Sequence, residues 1–303
     1  RAPRGLVERG RAAGVVAEAL DPQTNRPISR VTVRATRVCV AASATRTPAL
    51  LLASGIAGPP GSTGDTLRIH PALIAAGDFD EPVDAWRGIP QTVECTQFLD
   101  FEAAHAHGAS MGAAPIGTRT WIVNAFAHPL GTAASLRGHG VEHASFMARY
   151  RHMGVLTAML HDETAGTVRP RGDGGVAIDY WPTAHDRAEL VFGLARCAEL
   201  LFAAGARRVL IPSYPTTVLH SAAEAAALER WELTKGRLDI TAVHPMASVP
   251  MGDDGAVAAV DSTGRHHHVE GLWVADGSLM PTSIGGLTIY ALGLHVGEAI
   301  ATA

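Results

Sequence analysis

Residues 244–298 read HPMASVPMGDDGAVAAVDSTGRHHHVEGLWVADGSLMPTSIGGLTIYALGLHVGE, and three parts can be recognised in them. A histidine followed by proline opens a glycine-ended loop. A short apolar run, Leu272 to Ala275, then stops at Asp276-Gly277-Ser278, so a carboxylate sits at the carboxyl end of a buried strand with glycine beside it to free the turn. In open α/β sheets that end of a strand is where ligands bind. Pro281 blocks continuation of the ladder, and the segment from Leu287 has helical period. Its spacing predicts a helix carrying Leu287, Ala291, Leu294 and Ala301 near one face, with an amino end that faces an anion or an electron-rich ring.

The 303 residues are 47% apolar and 18% charged, the composition of an ordinary globular protein with room for two domains. A net charge of −4 argues against nucleic acid as a partner. Three cysteines, Cys39, Cys95 and Cys197, are odd in number and lack CxxC spacing, so neither a disulfide framework nor a zinc site is indicated. There is no run of 18 apolar residues for a transmembrane segment, and the opening Arg-Ala-Pro-Arg-Gly lacks the build of a signal peptide; the expected location is cytoplasmic.

From the amino end, Gly14 to Leu20, the turn residues Asp21 to Pro27 and the alternating Val31, Val33 and Ala35 predict a hairpin. The return strand is expected to run on into Val38-Cys39-Val40-Ala41. Small residues then lead into a helix over 46–54, with Ser43, Thr45 or Thr47 as N-cap, Pro48 in the first turn and Gly55 after the end. Strand, tight turn and helix suit a nucleotide, although any α/β domain carries such turns. Further on, Thr167 to Pro170 and Val176 to Tyr180 flank a glycine-rich turn as a second hairpin. Thr183 with Asp186 opens a long helix with Leu190, Leu194, Cys197 and Leu201 on one stripe, closed by Gly205 and followed by a strand over Arg207 to Ile211. This middle region has no βαβ regularity, which predicts an antiparallel sheet with helices on one side. His266-His267-His268 read as a surface turn, because consecutive strand residues point apart and cannot share one ion, and no metal is expected at them, at His105 and His107, or at His139 and His143. The chain has neither a GxSxG elbow nor a P-loop.

Several of these motifs together resemble the glucose-methanol-choline (GMC) family of FAD-dependent alcohol oxidoreductases. The resemblance rests on His244-Pro245-Met246 with Met251-Gly252, on Val260-Asp261 and Gly264-Arg265, and on Val269 to Leu272. It continues in Val274-Ala275-Asp276-Gly277-Ser278 with Met280-Pro281-Thr282, and upstream in Val38 to Ala44 running into Thr47 to Leu52 and Ser54-Gly55-Ile56. The middle is similar to the long-chain alcohol oxidase and cholesterol oxidase branch only loosely, at His70-Pro71 and Phe79 to Val83. The resemblance implies FAD as cofactor, with His244 as the catalytic histidine beside the flavin ring. It also implies that Asp276 and Gly277 meet the ribityl and pyrophosphate portion, and that Ala42 and Ser43 serve the nucleotide half. A bare histidine would read as a core or loop residue; its place in the motif reverses that, and an imidazole near neutral pKa suits removal of a hydroxyl proton as hydride leaves.

Three departures accompany the resemblance. The family's opening GxGxxG, whose amides hold the FAD pyrophosphate, occurs nowhere in this chain, so a partial FAD-binding domain and a missing N-terminal half are expected. Glycine is usual at the positions of Ser43 and Ala247. The asparagine or second histidine that partners the catalytic histidine has no counterpart in Ser283-Ile284-Gly285-Gly286, and His295 lies too far along the helix to replace it.

The resulting expectation is an α/β FAD-binding domain lacking its GxGxxG unit, residues 1–69 and 240–303, plus an α+β substrate domain with an antiparallel sheet, residues 70–239. The expected function is oxidation of the CH–OH group of a small-molecule alcohol. The rival is a truncated, flavin-free remnant or a partner-requiring subunit of the same fold.

Overall fold

The computed structural model describes residues 4–89, 91–100, 102, 114–283 and 286–303. Strands β1 (Arg4–Glu8), β2 (Arg11–Leu20), β3 (Pro27–Arg34) and β4 (Val38–Val40) precede helix α1 (Thr47–Ala53). Next come β5 (Ala72–Asp78), β6 (Glu94–Cys95), β7 (Thr120–Asn124), helices α2 (Pro129–Ser135) and α3 (Gly140–Ala148), and β8 (Met153–Leu160). The chain continues through β9 (Thr167–Pro170), β10 (Val176–Asp179), α4 (Ala184–Ala203), β11 (Arg208–Ile211), β12 (Thr217–Leu219) and α5 (Ala222–Ala227), and ends with β13 (Leu272–Val274) and α6 (Gly286–Thr302). These elements fall into two units, the first made of Arg1–His70, Glu163–Trp181 and Val243–Ala303, the second of Pro71–Asp162 and Pro182–Ala242. The β9–β10 hairpin thus belongs to the first unit, although it lies within the span 70–239.

In the first unit β1, β2 and β3 form an antiparallel sheet in chain order. The β1–β2 connection, which the sequence reading does not anticipate, is a two-residue turn at Arg9-Gly10 with φ of 52° and 78°, the left-handed pair of a type I′ hairpin. Between β2 and β3, the Asp21 carboxylate accepts from the amides of Gln23 and Thr24 and from the Thr24 hydroxyl, closing the expected turn.

The expected run-on of the return strand into Val38–Ala41 does not occur. β3 is exposed along its length whereas Val40 is buried, so the chain breaks at Ala35–Arg37. β4 instead pairs in parallel with β13, Val38 opposite Leu272 and Val40 opposite Val274. Helix α1 ends in a Schellman motif: Ile56 N–H donates to Leu51 C=O and Gly55 N–H to Leu52 C=O, with Gly55 at φ 69°. One core of the first unit gathers Val40, Leu51, Ile56, Met246, Val249, Val260, Trp273, Val274, Leu279, Leu292 and Val296.

Helix α6 corrects a second expectation. Ala291, Leu294 and Ala301 are exposed, and the stripe turned into the core is Ile289, Leu292, Val296 and Ile300. Because nearly every position from Leu287 to Val296 is apolar or glycine, periodicity alone could not choose the face. The Leu287 side chain and residues 284 and 285 lie outside the described residues.

The second unit is built on a six-stranded sheet, β12-β11-β5-β8-β7-β6, antiparallel at every pairing. Across it lies α4, capped as expected by Thr183, whose hydroxyl accepts from Asp186 N–H. Its predicted stripe, Leu190, Leu194, Cys197 and Leu201, is buried. The close crossing requires Gly193, where a Cβ would stand 2.8 Å from both Ala158 Cβ and Thr120 Cγ2. Buried charges in this unit include two paired groups: Arg119 with Asp186, and Asp78 with Arg149 and Arg208. The buried Glu189 carboxylate accepts from Gly117 N–H, Arg119 N–H and Thr120 O–H. Among the described residues no helix is long and apolar enough to cross a membrane.

Candidate functional site

The parallel pairing of β4 with β13 brings two loops together at the strands' carboxyl ends. From β4 the chain passes through Ala42 and Ser43 into α1; from β13 it passes through Ala275 to Asp276 and a short 3-10 turn over Gly277–Leu279. The Asp276 carboxylate locks these loops to each other. One oxygen accepts from Ser43 N–H at 3.0 Å and from Thr47 O–H at 2.5 Å; the other accepts from Ser278 N–H at 2.9 Å and Ser278 O–H at 2.5 Å. A carboxylate has about four lone-pair positions, so the chain's own donors occupy the set. Thr47 also accepts from Ala42 N–H at 3.0 Å. The threonine therefore does not cap α1, whose N-cap is Arg46 with no side-chain hydrogen bond; it is a site residue that the sequence showed only as a candidate cap.

The loop from His244 is laced to the same turn. Ala247 N–H donates to Gly277 C=O at 3.0 Å, Val249 N–H to Ser278 C=O at 2.9 Å, and Met251 N–H to Leu279 C=O at 2.9 Å. Gly277 packs tightly there, since a Cβ would lie 3.2 Å from the Pro245 carbonyl oxygen and 3.1 Å from Ile289 Cδ1. His244, Asp276, Gly277, Ala42 and Ser43, chosen from separate motifs, are thus carried by loops that hydrogen-bond to one another. On the far side of the 244–251 loop, Arg68 and Met246 exchange both backbone hydrogen bonds, at 2.9 and 2.8 Å. This brings His70 against His244, Nδ1 to Nδ1 at 3.4 Å with ring centroids 5.5 Å apart. His244 is partly buried, and that burial holds its pKa below the ordinary histidine value. His70 is buried. Its only signal in the sequence was the His-Pro pair.

Beside the turn, Ala42, Arg46, Ala49, Leu50 and Ala53 line a cleft of about 610 Å³ together with Arg171, Gly172, Gly174, Gly175 and Val176 of the β9–β10 hairpin. The three consecutive histidines do not all form a surface turn. His266 is buried, with Nε2 3.0 Å from the Ile56 carbonyl, while His267 and His268 lie against the carbonyls of Gly252 and Gly255.

Two family models described as GMC oxidoreductase match residues 1–72 and 163–293. The chain belongs to the GMC oxidoreductase family. An uncharacterized GMC-type oxidoreductase of Mycobacterium tuberculosis is 36% identical over 286 residues, covering 93% of this chain and 41% of the relative. A long-chain-alcohol oxidase of Arabidopsis thaliana is 28% identical over 258 residues, 79% of this chain and 32% of that protein. Among solved structures, pyridoxine 4-oxidase from Mesorbium loti superposes with a TM-score of 0.63 at 21% identity, over 100% of this chain and 56% of that one. The chain thus spans about half the length, or less, of these proteins.

GMC oxidoreductases are FAD-binding flavoproteins. The chemistry of the turn fits such a group: the small residues Ala42 and Ser43 and the carboxylate of Asp276 reach the surface together at the carboxyl ends of parallel strands. Both positions where this GMC chain has a side chain in place of the family's usual glycine are left-handed, Ser43 at φ 76° and Ala247 at φ 61°. That is the backbone region glycine enters most readily.

Proposed function

We propose that this chain carries the flavin-facing part of an FAD-dependent oxidoreductase acting on the CH–OH group of primary or sterol-like alcohols, with His244 as the proton acceptor. The observation that carries the reading is the lacing of the His244 loop to the Asp276-Gly277-Ser278 turn, which puts the imidazole and the strand-end cluster on one rigid support. Bound flavin supplies the hydride acceptor; the chain's residues bind, orient and move the proton. Below its ordinary pKa range by burial, His244 is neutral near pH 7 and has a lone pair for the substrate hydroxyl proton. Asp276, its acceptor positions filled by Ser43, Thr47 and Ser278, acts by shaping the turn on which Ala42, Ser43 and Gly277 meet the cofactor.

A second reading is a flavin-free chain or a subunit of the same fold that needs a partner. It draws on the sheet that carries the site, which among the described residues has two strands, β13 and β4, whereas stable open sheets usually have about four to six. The purified protein distinguishes the two. Flavin absorbance bleached by a long-chain alcohol under anaerobic conditions supports the enzyme, and a colourless preparation that takes up no FAD on titration supports the alternative.

A further inference from the structure

The family's partner for the catalytic histidine has no counterpart after Met280-Pro281, yet His244 does not stand alone. The segment ending in His70 runs antiparallel to the segment that starts at His244. Register is set by Arg68 and Met246, which face each other through two backbone hydrogen bonds, with Thr66 O–H donating to Ala247 C=O beyond them at 2.5 Å. Stepping two residues outward along both segments from Arg68 and Met246 puts His70 directly opposite His244. Side chains opposed in this way share a face and touch. The rings are tilted by 32°, and the facing atoms are Nδ1 and Nδ1 at 3.4 Å. His70 is held there at a cost, since its φ of 51° is left-handed, a conformation that concentrates at functional positions.

We propose that His70 is the positioning partner of His244, its Nδ1 accepting the hydrogen bond from His244 Nδ1–H. Only one proton fits between two facing Nδ1 atoms, so the tautomers of the two rings are coupled. With the proton on His244 Nδ1, the lone pair of His244 sits on Nε2, and that nitrogen is the base. The direction follows from the reaction: once His244 has taken a proton both of its nitrogens are donors, so His70 Nδ1 must accept, and the partly buried His244 bears that charge at less cost than His70, which is 5% exposed. In the reaction His244 Nε2 would take the hydroxyl proton while bound oxidised flavin would supply the hydride acceptor, so that the alcohol becomes a carbonyl. His244 is then an imidazolium whose Nδ1–H still donates to neutral His70. The pairing rests on the assignment of His244 as proton acceptor only for its role in turnover; the tautomer is a property of the protein without substrate.

The test is 15N NMR of histidine-labelled protein near pH 7.5, with the His244 signals identified by their loss in His244→Gln. The expected pattern is a protonated Nδ1 and an unprotonated Nε2 on His244. His70→Gly accepts the left-handed backbone and removes the acceptor, and it should move His244 toward the Nε2–H tautomer. His70→Asn also tolerates positive φ and offers a carbonyl oxygen near the old Nδ1, so it should restore the parental pattern. In flavin-loaded protein, His70→Gly should slow flavin reduction about 10–100-fold and His70→Asn should recover most of it. An unchanged His244 tautomer in His70→Gly overturns the pairing. Parental flavin reduction in His244→Ala overturns the catalytic reading of His244 instead, whatever the tautomers show.

Discussion

Ser43 and Ala247 hold left-handed backbone that an L-side chain enters at a cost of about 1–2 kcal/mol, and their surroundings decide what glycine would do there. Ser43 is exposed, and its contribution to the site is its amide, which glycine keeps, so Ser43→Gly should stabilise the protein by about 0.5–1 kcal/mol. Ala247 is buried among the core residues of the first unit, and its lost methyl, worth about 0.8 kcal/mol, should cancel most of the gain from Ala247→Gly. Urea midpoints of the two variants check both statements; an equal gain at both sites would contradict them. At His244 the prediction is kinetic: His244→Ala should slow single-turnover flavin reduction by about 10²–10⁴-fold, the range of a positioned general base, while leaving flavin content near the parental level. Asp276→Ala should instead lower flavin occupancy, because it frees the Ser43 and Ser278 amides that shape the turn.

Elements divide by how much of their stability is local. Helix α4 announces itself, because Thr183, the stripe from Leu190 to Leu201 and Gly205 are all within reach of the helix they define. Thr183→Ala should cost about 1 kcal/mol through loss of the bond from Asp186 N–H. In α6 the local pattern is nearly uniform, and only packing against β13 and the loop from Met246 selects the inner face. Leu292→Ala should therefore cost about 2–5 kcal/mol, whereas Leu294→Ala, on the outer face at 67% exposure, should change stability by less than about 0.5 kcal/mol. Thermal unfolding of this pair reads the face directly; the reverse order would restore the stripe that periodicity suggested.

At the scale of the whole molecule, burial holds two histidines, His244 and His266, below their ordinary pKa. The unfolded chain binds protons at these positions near pH 6.5, where the folded chain resists them, so this contribution is fully present well above that pH and is lost as the solution is acidified through it. The urea midpoint should drop on that acidification, and the double variant His244→Gln, His266→Gln should flatten the slope. From its own residues the sequence determined the two hairpins around residues 21–26 and 171–175, the β4–α1 passage, the capped α4, and the placing of an acidic residue and glycine at the end of a buried strand. These are legible because turns, caps and helix stripes depend on residues a few positions apart. Tertiary structure alone decided that β4 leaves the first sheet for β13, that Asp276 accepts from Ser43 across 233 positions, and that His70 meets His244 across 174. Such partners are chosen by strand register and by the competition of apolar faces for one core. Neither is written in any local pattern, and His70 reaches His244 only because Arg68 and Met246 pair.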